Sequence, residues 1–278
     1  MPRQSQDAAE ERFIQYQTDG AVATVTLDRP EARNAQHPPF LQQFDAALRE
    51  AASDDQVRVI VVKANGPHWS AGHDISPESA HHFKDVIDPS SGIHSHYGWE
   101  QVNYLEMTKS WRDLPKPTIA AVHGKCIAGG LMLCWPMDLI IAADDAMFSD
   151  PVLRMGVGGV EYFGHPWELG ARKAKEFLFT GEFIDAQEAY RLGMVNHVVA
   201  RDQLEAKANE VAGKIAKMDP FGLRMAKQSV NRTLDQMGQW NAMQAVFDMH
   251  HLAHAQSRII NQGNSIAGQT IDSMKAAG

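Results

Sequence analysis

A pair of adjacent glycines opens the segment whose residue types are best suited to chemistry. Residues 116–138 read KPTIAAVHGKCIAGGLMLCWPMD, and an apolar strand over 118–122 precedes Gly129 and Gly130. The pattern predicts that the two glycines open a helix through Leu131, Leu133 and Trp135. N–H groups at the start of a helix lack intrahelical acceptors, and the helix dipole there favours negative charge. The segment therefore predicts an oxyanion site, with a glycine-padded connection between strand and helix as the structural alternative.

A second glycine-bearing loop follows another apolar strand. Residues 57–64, VRVIVVKA, read as a buried strand, and the polar loop 65–74, NGPHWSAGHD, follows it. Two loops of this kind, each at the end of a strand, could each donate one N–H to the same substrate oxygen. Together they favour a two-donor oxyanion hole.

Three ordered motifs carry a resemblance to a known family. The sequences HWSAGHD and KPTIAAVHGKCIAGG resemble the FSAGAD-like loop and the KPxIAAVxGxxxGGG segment of the crotonase, or enoyl-CoA hydratase/isomerase, superfamily. Residues 180–195 are similar to its TGxxxxAxxAxxxGLV stretch, and the resemblance covers residues 14–226. It implies an α/β fold in which ββα units wind into a spiral, followed by a C-terminal all-helical region.

The chemistry implied by this resemblance concerns acyl-CoA thioesters. The thioester carbonyl would accept hydrogen bonds from the backbone N–H groups of His73 and Gly129. Such a hole stabilises an enolate or a tetrahedral oxyanion, and losing one donor typically costs roughly 10²–10³ in rate. Ala71 and Asp74, in the same loop as His73, are expected to contact CoA. CoA would be part of the substrate, and no tightly bound cofactor is expected.

Three basic residues are further candidates for CoA contacts. Residues 29–35, RPEARNA, match the RPxxxNA turn that passes under the CoA phosphates in the family, so Arg29 or Arg33 could pair with them. Lys227 resembles the family position that reaches CoA from the C-terminal helices. The structural alternative is that the arginines are solvated loop residues.

The chain departs from the hydratase pattern at both catalytic glutamates. One family glutamate lies three residues after the glycine equivalent to Gly129, and that position is Met132. The other follows a proline, and that position in the sequence SDPV is Val152. Neither side chain can transfer a proton. The resemblance therefore implies a variant reaction, namely isomerisation, C–C bond hydrolysis or hydration of an unusual acyl group.

Nearby acidic residues are predicted to replace these glutamates. Residues 156–163, GVGGVEYF, align with a turn that lines the acyl pocket in the family. Glu161 is therefore the first candidate for general acid/base, with Tyr162 as its partner, and Asp150 is the second candidate. The structural alternatives are a solvated surface carboxylate for Glu161 and a capping residue for Asp150.

Histidine abundance raises the question of a metal. The histidine groups are His81-His82, His94-x-His96 and His250-His251-x-x-His254. None has acidic or cysteine partners at zinc spacing, and HExxH is absent, so no metal site is expected. Glu100 and Tyr104 share a helix face and could reach the pocket, but a helix with one core and one surface face explains them better.

Three functions compete at this point. The first is an enzyme acting on CoA thioesters, which the two oxyanion loops and Glu161 favour. The second is a CoA-binding protein without chemistry, suggested by Met132 and Val152, although a mere binder does not need the hole. The third is a nucleotide-binding oxidoreductase, but Gly156-x-Gly158 lacks the third glycine of GxGxxG and a ribose-binding acid.

Composition narrows the setting. The 278 residues are 44% hydrophobic and 22% charged, which is ordinary for a globular enzyme, and the net charge of -8 argues against nucleic acid as a partner. No apolar run approaches the length of a membrane span, so no membrane partner is expected. Cys126 and Cys134 are expected to be buried free thiols, which suits a reducing compartment. The cytoplasm is the expected location.

Alternating strand and helix patterns must position these residues. The hairpin of strands over 13–17 and 21–28, and helices over 40–52, 99–114 and 185–193, predict a core spanning residues 1–200 that holds the CoA and acyl site. From Arg201 onward the pattern is wholly helical, so residues 201–278 are predicted to cap the site and to form trimers, as in the family. The expected assembly is a homotrimer or homohexamer.

Overall fold

Two sheets of unequal size organise the chain. The structure, a computed structural model, describes residues 11–84 and 87–261. Its strands are β1 (Ile14–Asp19), β2 (Val22–Leu27), β3 (Val59–Ala64), β4 (Thr118–Val122), β5 (Lys125–Ile127), β6 (Leu139–Ala143), β7 (Met147–Ser149), β8 (Ile184–Asp185) and β9 (His197–Val199). The larger sheet has the order β1-β2-β3-β4-β6-β9 and is parallel except for the β1-β2 hairpin. The smaller sheet has the order β5-β7-β8.

Successive strands alternate between these two sheets. β4 and β6 join the larger sheet, while β5 and β7, which follow them, pair in the smaller one. Each strand pair then enters a short 3₁₀ helix, Ala128–Leu133 after β5 and Val152–Met155 after β7. This alternation confirms the predicted α/β spiral of ββα units.

The helices surround the sheets. They are α1 (Pro38–Ser53), α2 (His81–Lys84), α3 (His94–Glu100), α4 (Met107–Arg112), α5 (His165–Leu169), α6 (Ala171–Thr180), α7 (Ala186–Leu192), α8 (Leu204–Ile215), α9 (Pro220–Gln236) and α10 (Gln239–Ile260). The predicted start and stop of α7 are confirmed, because the Asp185 carboxylate accepts from the Glu188 N–H and Gly193 ends the helix in a left-handed conformation.

The central strands are apolar throughout because both of their faces are covered. In β3, Ile60 and Val62 pack in the main core, which includes α1, while Val59 and Val61 face a second core that includes α8. Consecutive strand residues point to opposite faces, so a strand covered on both sides needs an unbroken apolar run.

Two predicted helices differ from the structure. The glycine pair does not open an α-helix through Trp135, because the turn tightens into the 3₁₀ helix Ala128–Leu133. The helix predicted over 99–114 begins earlier, at His94, and its middle, Gln101–Glu106, is π-helical. π-Helical segments are rare in proteins, and those that occur are often found at functional sites.

The predicted C-terminal helical region is confirmed over α8, α9 and α10. Residues 262–278 of the predicted capping region lie outside the described residues. Within the part of the chain that the structure describes, no helix is both long and apolar enough to cross a membrane.

Candidate active site

The two glycine loops come into direct contact. Gly72 has φ +90°, and a Cβ on it would lie 2.9 Å from the Ile127 carbonyl oxygen and 3.2 Å from the Gly129 nitrogen. Only glycine allows this conformation and this close approach. The loop after β3 therefore packs against the turn that starts the Ala128–Leu133 helix.

Backbone hydrogen bonds on both sides of His73 fix its loop. The Gln36 N–H donates to the Gly72 carbonyl at 2.8 Å, and the Asp74 N–H donates to the Gln36 carbonyl at 2.7 Å. Because these bonds belong to a parallel bridge, the His73 N–H points away from Gln36. It donates to no acceptor among the described residues.

Gly129 is the second residue of its 3₁₀ helix, where N–H groups lack intrahelical acceptors. Ala128, just before it, has φ +48°, an unfavourable left-handed conformation for a residue with a side chain. The chain thus turns sharply from β5 into the helix just before Gly129.

The His73 imidazole lies over Gly129 and reaches Glu161. A Cβ on Gly129 would lie 2.8 Å from the ring, whose Nε2 is 3.1 Å from Oε2 of Glu161. The ring also stacks on Tyr104 with centroids 4.1 Å apart. Of the His73 side chain, 18% is exposed, against 6% for Glu161, so the histidine faces the more open side.

The His73–Glu161 pair favours the charged forms of both groups. Burial favours the neutral imidazole, but the Glu161 carboxylate outweighs it and raises the pKa of His73. Burial likewise opposes ionisation of Glu161, but His73 and His250 outweigh it and lower the pKa of Glu161. The structural alternative of a solvated surface carboxylate at Glu161 is wrong, because this residue is 5% exposed.

Asp150 supports the segment that carries Glu161. Its Oδ2 accepts from the Val160 N–H at 3.0 Å and lies 2.8 Å from Nε2 of His165. Both Asp150 and His165 are fully buried. These contacts give Asp150 a positioning role. Tyr162 does not form the predicted pair with Glu161, whose partner is His73.

Glu100 and Tyr104 point into the protein from the buried face of their helix, whose other face is exposed at Val102 and Glu106, so the predicted core and surface faces are both present. Both side chains are buried, at 6% and 3% exposure. Tyr104 covers the His73 ring, and burial, with Glu100 and Glu161 nearby, raises its pKa well above the usual value. The sequence signal was present in the shared helix face of the two residues.

Histidines of α10 complete the site from the C-terminal region. Nε2 of His250 lies 3.5 Å from Glu161 Oε1 and 3.5 Å from Glu100 Oε2, while Nε2 of His251 lies 3.3 Å from the same Glu100 oxygen. The argument that these histidines lack an acidic partner fails, because Glu100 is distant in sequence but adjacent in space.

Met132 and Val152, which are predicted to replace the family glutamates, are apolar and buried. Met132 is 2% exposed and Val152 is 7% exposed, and both belong to the main core. No proton can be exchanged there. Cys126 and Cys134 are also buried and free, as predicted, with sulfur atoms 3.8 Å apart.

The residues predicted to contact CoA have different surroundings. Arg29 donates to Asp74 at 2.6 Å, and the Lys227 ammonium lies 2.8 Å from Asp138, so each of these cations already has a carboxylate partner with which a phosphate would compete. The Ala71 N–H donates to the Arg33 carbonyl at 3.0 Å, while the Arg33 side chain is exposed. Arg33 is thus the best placed of the three cations for a phosphate.

Comparison with known proteins identifies the class. The chain matches the enoyl-CoA hydratase/isomerase family over residues 17–265. It is 44% identical over 257 residues to a Mycobacterium tuberculosis protein named as the enoyl-CoA hydratase EchA13, covering 87% of this chain and 81% of that protein. The chain therefore belongs to the enoyl-CoA hydratase/isomerase family.

Solved structures agree with this assignment. A crystal structure titled as an enoyl-CoA hydratase from Mycobacterium smegmatis is 51% identical, with a TM-score of 0.85, and covers 92% of this chain and 99% of that one. One from Mycobacterium thermoresistibile is also 51% identical, with a TM-score of 0.86, and covers 92% of this chain and 100% of that one.

Proposed function

We propose that this protein catalyses proton transfer on the acyl group of an unsaturated acyl-CoA, with double-bond isomerisation as its reaction. The observation that carries this proposal is the buried Glu161 carboxylate, 3.1 Å from the ring of His73, whose backbone N–H is the predicted oxyanion donor. The proposed base therefore lies against the residue that carries one of the two predicted oxyanion donors.

The steps follow from the chemistry of a thioester enolate. Glu161 removes a proton from the acyl chain, and the negative charge moves to the thioester oxygen. The N–H groups of His73 and Gly129 stabilise this oxygen, and the positive charge favoured on the His73 ring lies close to it. Glu161 then returns the proton to a different carbon, which moves the double bond.

One carboxylate is sufficient for this reaction. Isomerisation removes and returns a single proton, so the same group serves as base and acid. Hydration through the two-glutamate route requires a second group to activate water, and Met132 and Val152 supply none. A partly buried site next to Tyr104 also suits a reaction that does not consume water.

Replacing Glu161 by glutamine tests the proposal. A screen of unsaturated acyl-CoA substrates with mass-spectrometric detection first identifies the substrate, and an isomerisation product keeps its mass whereas a hydration product gains one water. On that substrate, Glu161→Gln should lower kcat by about 10²–10⁴-fold with little change in CoA affinity. The exposed Glu182→Gln variant should match the unmodified protein.

Two results would reject the proposal. Full turnover by Glu161→Gln would exclude this residue as the acid/base. Binding of acyl-CoA without turnover of any member of the panel would favour the alternative, a CoA-binding protein without chemistry.

A further inference from the structure

A cluster of histidines and one glutamate lies behind the proposed acid/base. It consists of His96 and Glu100 on α3 and of His250, His251 and His254 on α10. All five residues are buried, with at most 7% of each residue exposed. Buried groups of this kind are paired, or they coordinate a metal.

The two oxygens of Glu100 have different surroundings. Oε1 lies 2.7 Å from Nε2 of His96, whose Nδ1 faces the Arg258 guanidinium at 3.5 Å. The proton of a neutral His96 ring is therefore on Nε2 and is donated to Glu100. Oε2 is buried and has no hydrogen-bond partner among the described residues.

His250 directs a ring nitrogen towards that oxygen. Its Nδ1 lies 2.9 Å from the Gly159 carbonyl, which can only accept, so Nδ1 carries a proton. Burial is outweighed by Glu100 and Glu161, which raise the pKa of His250 to about 9, so a cation bound at Nε2 would displace a proton. This nitrogen lies 3.5 Å from Glu100 Oε2 and 3.0 Å from His254 Nε2. A backbone carbonyl that fixes the far nitrogen is the usual support of a metal-binding histidine.

His251 directs a second ring nitrogen towards the same oxygen. Both of its ring nitrogens are buried and make no hydrogen bond within the part of the chain that the structure describes. Its Nε2 lies 3.3 Å from Glu100 Oε2. Acceptor atoms brought together in this way repel one another unless a proton or a cation lies between them.

The distances favour a cation over a proton. A charge-assisted N–H···O bond is about 2.7–2.9 Å long, which is shorter than either distance to Glu100 Oε2. Ligands about 2.0–2.1 Å from a tetrahedral zinc ion lie about 3.3 Å from one another. The separations of 3.3 and 3.5 Å match this second value.

We propose that Glu100, His250 and His251 bind one divalent first-row transition-metal cation through Oε2, Nε2 and Nε2, with zinc as the best match to this donor set. The ligand atoms lie within 4.8 Å of one another. Imidazole with one carboxylate suits zinc and its neighbours, whereas magnesium and calcium prefer oxygen ligands. The cation would join α3 to α10 beside Glu161.

Zinc content and affinity test this site. Untagged protein is purified from zinc-supplemented cultures, analysed for metal, stripped with a chelator and titrated with Zn²⁺ against a chromophoric competitor. We expect one zinc per chain and an unfolding temperature that rises with zinc. Glu100→Gln and His251→Gln should each weaken zinc binding by roughly 100-fold or more, since even second-shell changes cost 10–100-fold. His94→Gln, an exposed histidine of the same helix, should leave it unchanged.

The outcome does not depend on the folding of the variants. Circular dichroism checks each of them, and anomalous scattering at the zinc edge from crystals of the unmodified protein locates the ion directly. A peak between Glu100 and the two histidines supports the proposal. Protein refolded in zinc that holds none, zinc binding that survives both substitutions in folded protein, or a peak elsewhere overturns it.

Discussion

Gly129 gives the His73 ring its position, because a larger residue would collide with it. A Cβ there would lie 2.8 Å from Cε1 of His73, whereas at Gly213 no described atom lies within 4 Å of the added carbon. We therefore expect Gly129→Ala to displace the ring from Glu161 and to lower kcat by about 10²-fold, as small misplacements can. Gly213→Ala is the matched control.

The measurements for this pair are steady-state kinetics and thermal unfolding. A folded Gly129→Ala variant with unchanged kcat would contradict the placement of the His73 ring in the site. An equal loss in Gly213→Ala would point to a general effect of the extra methyl group.

The second prediction at the scale of residues concerns hydration, which Met132 and Val152 cannot support. Because each missing glutamate would contribute roughly 10²–10⁴-fold, we expect crotonyl-CoA hydration orders of magnitude below that of a typical family member. Met132→Glu together with Val152→Glu should raise it, provided that the buried positions, 2% and 7% exposed, accept two charges. Hydration is followed by loss of the enoyl absorbance, with each single variant as control. Ordinary hydration by the unmodified protein would contradict the variant-reaction reading.

At the scale of elements, the N-terminal cap of α1 is predicted to depend on pH. His37 precedes α1 and is 2% exposed, and its Nδ1 accepts from the Phe40 N–H at 3.1 Å. Burial, with the nearby Arg29 and His82, lowers the pKa of His37 to about 4 from the usual 6.5. A protonated ring could not accept this hydrogen bond.

The stability that the His37 cap contributes is lost on acidification. As pH falls, the unfolded chain takes up the proton first, so the contribution of His37 to stability is present above about pH 6.5 and is lost towards pH 4.

His37→Asn keeps a capping acceptor that does not titrate. We expect this variant to lose less stability than the unmodified protein on acidification, measured as urea midpoints at about pH 7 and about pH 4.5. The exposed His81→Asn variant should behave like the unmodified protein, and equal pH dependence in all three would contradict the cap assignment.

Elements were predictable where their signals are local. The start of α7 at Asp185, its stop at Gly193 and the apolar run of β3 depend on neighbouring residues, and the structure has all three. The π-helical segment between α3 and α4 was not predictable, because it depends on how Glu100 and Tyr104 must face the interior. Tertiary packing decides such a change of helical register, and a single-sequence pattern does not contain it.

At the scale of the molecule, the spiral and the two glycine loops that meet in it were predictable from the sequence, because ordered motifs mark both. The partners of Glu161 were not predictable, since His73 and His250 reach it from loops and helices far apart in the chain. Sequence distance likewise hid the link between Glu100 and the histidines of α10. Only the folded chain shows that α10 closes over the site.

At the scale of the whole molecule, the outer face of α10 is expected to join the subunits of an oligomer. Met249, Leu252 and Ile259 lie on one side of the helix and are 66%, 65% and 79% exposed, while His250 and His254 on the other side are buried. An apolar stripe of this kind is seldom left in contact with water, and a second copy of the chain would cover it. We therefore expect a homotrimer or homohexamer by light scattering.

Leu252→Asp combined with Ile259→Asp should shift the mass towards one chain, because burying two carboxylates without partners is unfavourable. Asn209→Asp, which adds a charge on an exposed position of α8, should keep the assembly. A monomeric unmodified protein, or a double variant that assembles normally, would show that this face does not join the subunits.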